Sequence, residues 1–197
     1  MAADEGRIDR AALATDLERA RVEFHRLLAD AEREDVWTAS TRTTRWTNEQ
    51  LLFHMVFGYM VVQRLLLLVR VLDRLPGPVS RGFARVLNAA TTPFHAINYY
   101  GSCSAALVYN RRRMGPKLDR VIASLQRKLA RESDGAFRRG MHYPTRWDPF
   151  FTDYMTLEDI YRYPGQHFDF HQRQLTLNSG PTDPQGDSPT DRSGTPL

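Results

Sequence analysis

Residues 47–75 read TNEQLLFHMVFGYMVVQRLLLLVRVLDRL, and this stretch decides the fold. Thr47 and Gln50 have the spacing of a capping box, in which a hydroxyl and an amide each satisfy a backbone N–H left free at a helix start. No proline follows until Pro76-Gly77-Pro78, which cannot continue a helix. The spacing therefore predicts a helix from Thr47 to about Leu75. Its middle is apolar on nearly every face, so it is the central helix of the fold or also covers a contact between two copies of the chain. At ~20 apolar residues it is long enough to span a bilayer. Arg64 would then sit near the membrane centre, where a charge is costly, so a buried helix is expected and no membrane partner.

Working outward, Leu13, Leu17, Phe24, Leu27, Leu28 and Ala31 recur at helical spacing and predict a first amphipathic helix over about 8–34. Val36–Trp46 breaks the pattern. Beyond Pro78, Phe83, Val86 and Leu87 suggest a short helix that Thr91-Thr92-Pro93 interrupts, and Pro93–Val108 reads as an irregular, partly buried insertion. Leu118, Val121, Ile122, Leu125 and Leu129 stripe a third long helix over about 110–132, ended by Ser133-Asp134-Gly135. Gly140–Phe151 (GMHYPTRWDPFF) reads as an aromatic loop. Thr156 and Asp159 mark the start of a last helix running to about Leu177, kinked or restarted at Pro164. From 178 to 197 large apolar residues vanish except Leu197, so a disordered tail is expected. Four long helices and no convincing strand predict an all-α domain over 1–177, a four-helix bundle with an insertion between its second and third helices.

Composition narrows the chemistry. A hydrophobic fraction of 42% over 197 residues supports one ordinary core. The single cysteine, Cys103, excludes an internal disulfide, a multi-cysteine zinc site and a CxxC redox centre. It is read as a small buried side chain in a reducing compartment. The N-terminus is polar, with no signal pattern, and a cytoplasmic protein is expected. The net charge is only +4, which does not call for a nucleic-acid partner. The run Arg111-Arg112-Arg113, with Lys117 and Arg120, reads as a solvated helix start, and no nucleic acid is expected.

The histidines carry the chemistry. His167 and His171 read HFDFH, i and i+4 on the last helix. Four residues turn through about 400°, so both imidazoles project from one face in a chelating arrangement. Phe168 stands where a metalloprotease HExxH motif has its glutamate, so that general base is missing. Asp169 points away from both histidines. His54 lies inside the most apolar helix, where a polar side chain needs a partner, and is the candidate third ligand. His25 and His95 are read as structural.

WTNEQLLFHM, followed by YRYPGQHFDFHQRQL, resembles the DinB-like superfamily, and the similarity extends over about 8–177. In that family one histidine of the second helix and an HxxxH pair of the fourth bind a divalent metal inside a four-helix bundle. The matching positions are His54, His167 and His171; the long 76–109 connection departs from the pattern. The resemblance implies a metal-dependent enzyme of small-thiol chemistry, an S-transferase that joins a low-molecular-weight thiol such as mycothiol to an electrophilic small molecule. Zinc is the expected metal, with nickel, iron or manganese as alternatives. Three neutral imidazoles leave the ion its full charge and an open position, where a thiol loses its proton at neutral pH. The same ligands could serve a hydrolase, an iron-dependent oxygenase or a non-catalytic binding protein.

Around these ligands, Gln50 and Gln174 lie one turn from His54 and His171 and are candidates to orient an imidazole, although Gln50 also serves the capping box. Gly58, one turn after His54, leaves space at the metal or permits close helix packing. His142, Arg146 and Trp147, in the aromatic loop, are placed to cover the bundle mouth and bind substrate, with His142 the weak candidate for an acid or base. A homodimer is expected.

Overall fold

In the computed structural model, residues 8–177 are described; residues 1–7 and the tail expected from 178 lie outside them. The chain order is α1 (Arg10–Glu34), α2 (Asn48–Leu72), α3 (Gly77–Ala89), α4 (Thr91–Val108), α5 (Met114–Leu129), α6 (Asp134–Phe137), β1 (Gly140–His142), β2 (Tyr154–Thr156) and α7 (Leu157–Gln172). The described chain is mostly helical, as an all-α reading requires. α2 packs against α4, α5 and α7, and α1 packs against α5 and α7. α2 is the one described helix long and apolar enough to cross a bilayer. Here Leu51, Leu52, Met55, Val56, Val62 and Leu66 are fully buried. Each such side chain contributes roughly 1.5–3 kcal/mol by leaving water.

The long helices start and stop for local reasons. The expected capping box at α2 is present, with Gln50 Oε1 accepting from Thr47 N at 3.0 Å. Thr156 and Asp159 make a second one at α7. α1 ends at Asp35, whose φ of 49° is left-handed; aspartate tolerates that conformation better than most residues. α7 continues through Pro164 without a break in assignment. It crosses α1 where Arg19 spans Asp16 and Asp169, with Nη1 2.9 Å from Asp169 Oδ1. Asp169 thus faces α1 and not the histidines.

Three expectations are corrected. Pro93–Val108 is not irregular: it belongs to α4, while the short helix expected around Phe83 and Leu87 is present as α3. Thr91-Thr92-Pro93 opens α4 instead of interrupting a helix, because a proline in a first turn removes an N–H that has no helical partner. α4 carries no charged residue, so no polar stripe marks its period. Nor is the chain strand-free. β1 and β2 form an antiparallel pair with Gly140 opposite Thr156 and His142 opposite Tyr154. These three-residue strands are too short for alternation to be read. A Cβ on Gly140 would lie 2.6 Å from Met155 O, so only glycine fits there. Ser133, expected to end the third helix, instead caps α6 by accepting from Ala136 N at 3.2 Å.

Residues 36–46 and the segment after α7 are tied to the start of α2 through Asn48. Its Nδ2 donates to Val36 O at 2.9 Å and to Thr176 Oγ1 at 3.0 Å, and its Oδ1 accepts from Thr176 N at 3.1 Å. Asn48 is fully buried, so its loss strands partners that water cannot reach. Replacement by leucine should cost about 2–3 kcal/mol. Urea unfolding measures this; a loss below about 0.5 kcal/mol, the scale of an ordinary surface change, would show that the junction does not depend on Asn48.

Candidate metal centre

α2 and α7 bring His54, His167 and His171 together. The imidazole centroids are 5.1 Å apart for His54 and His167, 4.9 Å for His54 and His171, and 4.4 Å for His167 and His171. One nitrogen from each lies within 4.8 Å of the others, and all three side chains are buried. A tetrahedral site with ~2.0–2.1 Å metal–nitrogen bonds needs donors about 3.3 Å apart, so modest ring movements bring this group to bonding geometry. The group can hold a metal ion.

The outer ring nitrogens are already committed. His54 Nδ1 lies 3.1 Å from Ser102 Oγ on α4, and His171 Nδ1 lies 2.7 Å from Gln174 Oε1. Both contacts leave Nε2 for a ligand, the arrangement that fixes tautomer and ring orientation in metal sites. Burial pushes the His54 imidazole down to about 3, with His171 adding repulsion. His167 is held well below its ordinary value by burial and by both neighbours, and burial also lowers His171. All three rings are therefore neutral near pH 7, with lone pairs available.

Of the residues expected around this group, Gln174 meets His171 directly. Gln50 does not orient His54: its amide is used in the capping box. Gly58 lies against His167, where a Cβ would come within 2.8 Å of Nδ1. Trp147 lines the cavity beside the histidines, stacked on Phe94 at 3.8 Å with its Nε1 donating to Leu87 O at 2.8 Å. Arg146 is exposed and its backbone N–H donates to Asn88 Oδ1. His142 faces Asp153, with Nδ1 3.1 Å from the carboxylate. Neither Arg146 nor His142 belongs to the cavity wall. The β1–β2 pairing accounts for this, since it turns His142 toward Tyr154 and away from the histidines. His25 pairs with Asp119 at 2.8 Å and links α1 to α5; His95 is exposed and Cys103 half-buried.

Three residues at the site were missed. Trp46 stacks on His54 with centroids 4.4 Å apart. It occupies the position just before the capping box, where an apolar residue commonly folds back on its helix. Ser102 sits on the uncharged helix α4, where nothing in the sequence marks it. Asp148 lies in the aromatic loop, its Oδ2 3.9 Å from His167 Nε2. It accepts from Tyr163 Oη at 2.9 Å and from Phe150 N at 2.9 Å. Burial holds its carboxyl above the ordinary value. A charge within WDPFF calls for a partner by the reasoning applied to His54, and that signal was present.

The histidines form one side of a cavity of about 480 Å³, within the ordinary range for small-molecule sites. In its wall, Trp46 Nε1 and Tyr143 Oη have no hydrogen-bond partner among the described residues. A buried donor left in that state costs about 1–3 kcal/mol.

No protein-family model, curated protein or solved structure matches the chain.

Gly58→Ala tests the packing of the centre without touching a ligand. The new methyl must displace the His167 ring, and zinc affinity should fall at least about tenfold while the fold persists. Chelator competition and a thermal melt read the two quantities; unchanged affinity would mean that His167 is not constrained by Gly58.

Proposed function

We propose that this chain is a divalent-metal-dependent S-transferase of the DinB-like superfamily, joining a low-molecular-weight thiol such as mycothiol to an electrophilic small molecule. One observation carries the reading: three buried neutral imidazoles converge from α2 and α7, and two of them are fixed from behind by Ser102 and Gln174. On this reading α1, α2, α5 and α7 are the four helices of the bundle, each packed against two of the others. α3 and α4 are then the insertion between its second and third helices.

Zinc is the proposed ion, and it would supply the Lewis acidity that makes a thiol give up its proton near pH 7. His54, His167 and His171 hold it and contribute no charge of their own. Ser102 and Gln174 keep two of the rings in the binding tautomer. Asp148 is the carboxylate of the cavity wall, 3.9 Å from His167 Nε2, and it takes the thiol proton and passes it to solvent. The sulfur lone pair then forms a bond to the electrophilic carbon, and a leaving group departs with the electron pair of the bond it breaks. Thiol and electrophile thus become thioether, leaving group and proton. Trp46 and the walls around His54 exclude water, which would otherwise compete as nucleophile.

The first test is elemental analysis of the purified protein beside His54→Ala and His167→Ala. Near-stoichiometric zinc in the wild type should be lost in both variants. The zinc-loaded wild type should consume mycothiol with an electrophile such as a halomethyl aromatic. The reading fails if reconstituted protein holds no zinc, nickel, iron or manganese. It also fails if loaded protein turns over no thiol–electrophile pair in a broad panel.

The homodimer reading draws support from an uneven surface. Of the exposed large hydrophobic residues among those described, all but Val22 and Tyr154 lie between Leu67 and Val108, on α2, α3, α4 and their junctions. Light scattering should give about twice the chain mass at micromolar concentration, and a monomer mass would remove the dimer.

A further inference from the structure

The cavity beside the three histidines has an uneven chemistry. Its wall is dominated by aromatic and aliphatic side chains, among them Phe57, Leu65, Phe83, Phe94, Trp147 and Phe151. Apart from the histidines, Asp148 is the only ionisable side chain in it other than Tyr143 and Tyr163, and Asn98 is the only amide. The chain has 27 lysines and arginines, and none of those among the described residues lines this cavity. A site that receives an anionic metabolite places a guanidinium, an ammonium or a cluster of N–H donors where the negative group lies. Here the described residues of the wall offer no such cation, and their one acidic side chain is Asp148. The unpartnered donors Trp46 Nε1 and Tyr143 Oη belong to two of the wall side chains.

We propose that the molecule taken into this cavity is hydrophobic, carries an aromatic or similarly flat body, and bears no negative charge. The inference deepens the S-transferase reading and rests on it for the role of that molecule, which is the electrophile. The thiol is then the polar reactant: only its sulfur arm enters, and its hydrophilic body stays at the cavity mouth. The volume of about 480 Å³ accommodates a bicyclic aromatic molecule and leaves little room for a second bulky, hydrated one. Reactions upstream of such a site are those that install a leaving group on an apolar compound, for example by halogenation. Its product is a thioether more soluble than the electrophile it came from.

Metal-free protein isolates the wall from the ion, which would itself attract carboxylates. Calorimetric titration with 1-naphthalenemethanol and with 1-naphthoate compares one aromatic body with and without a negative charge. The alcohol should bind at least about tenfold more tightly than the carboxylate. Leu65→Lys, at a half-buried wall position, puts a cation into the cavity and should narrow or reverse that preference. Equal or tighter binding of naphthoate to the wild type would overturn the proposal, and so would the absence of binding by both probes. These outcomes are separable from failure of the S-transferase reading, which is read from metal content and thiol turnover. A cavity that prefers the uncharged probe in a protein that turns over no thiol would keep the ligand class and remove only its role.

Discussion

The structure depends on burying three imidazoles where α2 crosses α7. A neutral histidine in an apolar helix is tolerated only if its nitrogens find partners. In this chain the partners come from three different places. Ser102 reaches His54 from α4, Gln174 reaches His171 from the segment after α7, and one nitrogen of each ring lies within 4.8 Å of the others, the spacing a shared ion could bridge. The contact between α2 and α7 is close because Gly58 has no side chain where His167 must lie. The packing of the two central helices and the geometry of the candidate ligands are therefore one constraint.

Much of the surrounding architecture serves to hold the partners still. Gln174 lies in a segment whose backbone carbonyl accepts from Arg42 N at 2.9 Å, while its neighbour Thr176 is bound by Asn48. The 36–46 loop, pinned by the same asparagine, lays Trp46 over His54. On the other side the β1–β2 pair closes the base of a loop that carries Trp147 and Asp148, and Tyr143 N donates to Asp153 O at 3.0 Å just inside it. Trp147 then fastens that loop to α3 through Leu87 O. A loop held at both ends and at its middle can keep a carboxylate near His167 although it belongs to no regular element.

Sequence made the long helices and the ligand positions legible because periodicity and capping are local. The α2 and α7 capping boxes and the stripes of α1 and α5 each depend on residues within a turn or two of one another. The helix α4 was not legible, since an uncharged helix has no polar face from which to read a period. The β pairing was hidden for the opposite reason: three residues per strand give too few alternations, and Gly140 is required by a contact with Met155 that is distant in sequence. The partners of the histidines divide along the same line. Gln174, three residues from His171, could be proposed from helix geometry. Ser102 lies 48 residues from His54 and has no local signature. Asp148 lies between these cases, because a lone acid among aromatic residues is a local anomaly even when its partner cannot be named.

The electrostatics of the site join the two proposals. Three neutral imidazoles would leave a bound divalent ion with its whole charge, and Asp148 is the single negative side chain of the cavity wall. One carboxylate against two positive charges leaves a net positive centre in a medium of low dielectric constant, which favours the thiolate over the thiol. A second anion brought in by the other reactant would compete with the thiolate for the same centre. On the second proposal the apolar wall would avoid that competition by receiving a molecule with no charge to offer. Under the S-transferase proposal, placing the negative charge on the nucleophile alone would let one small cavity serve an ion, a thiol and an electrophile with no lysine or arginine among the described residues of its wall.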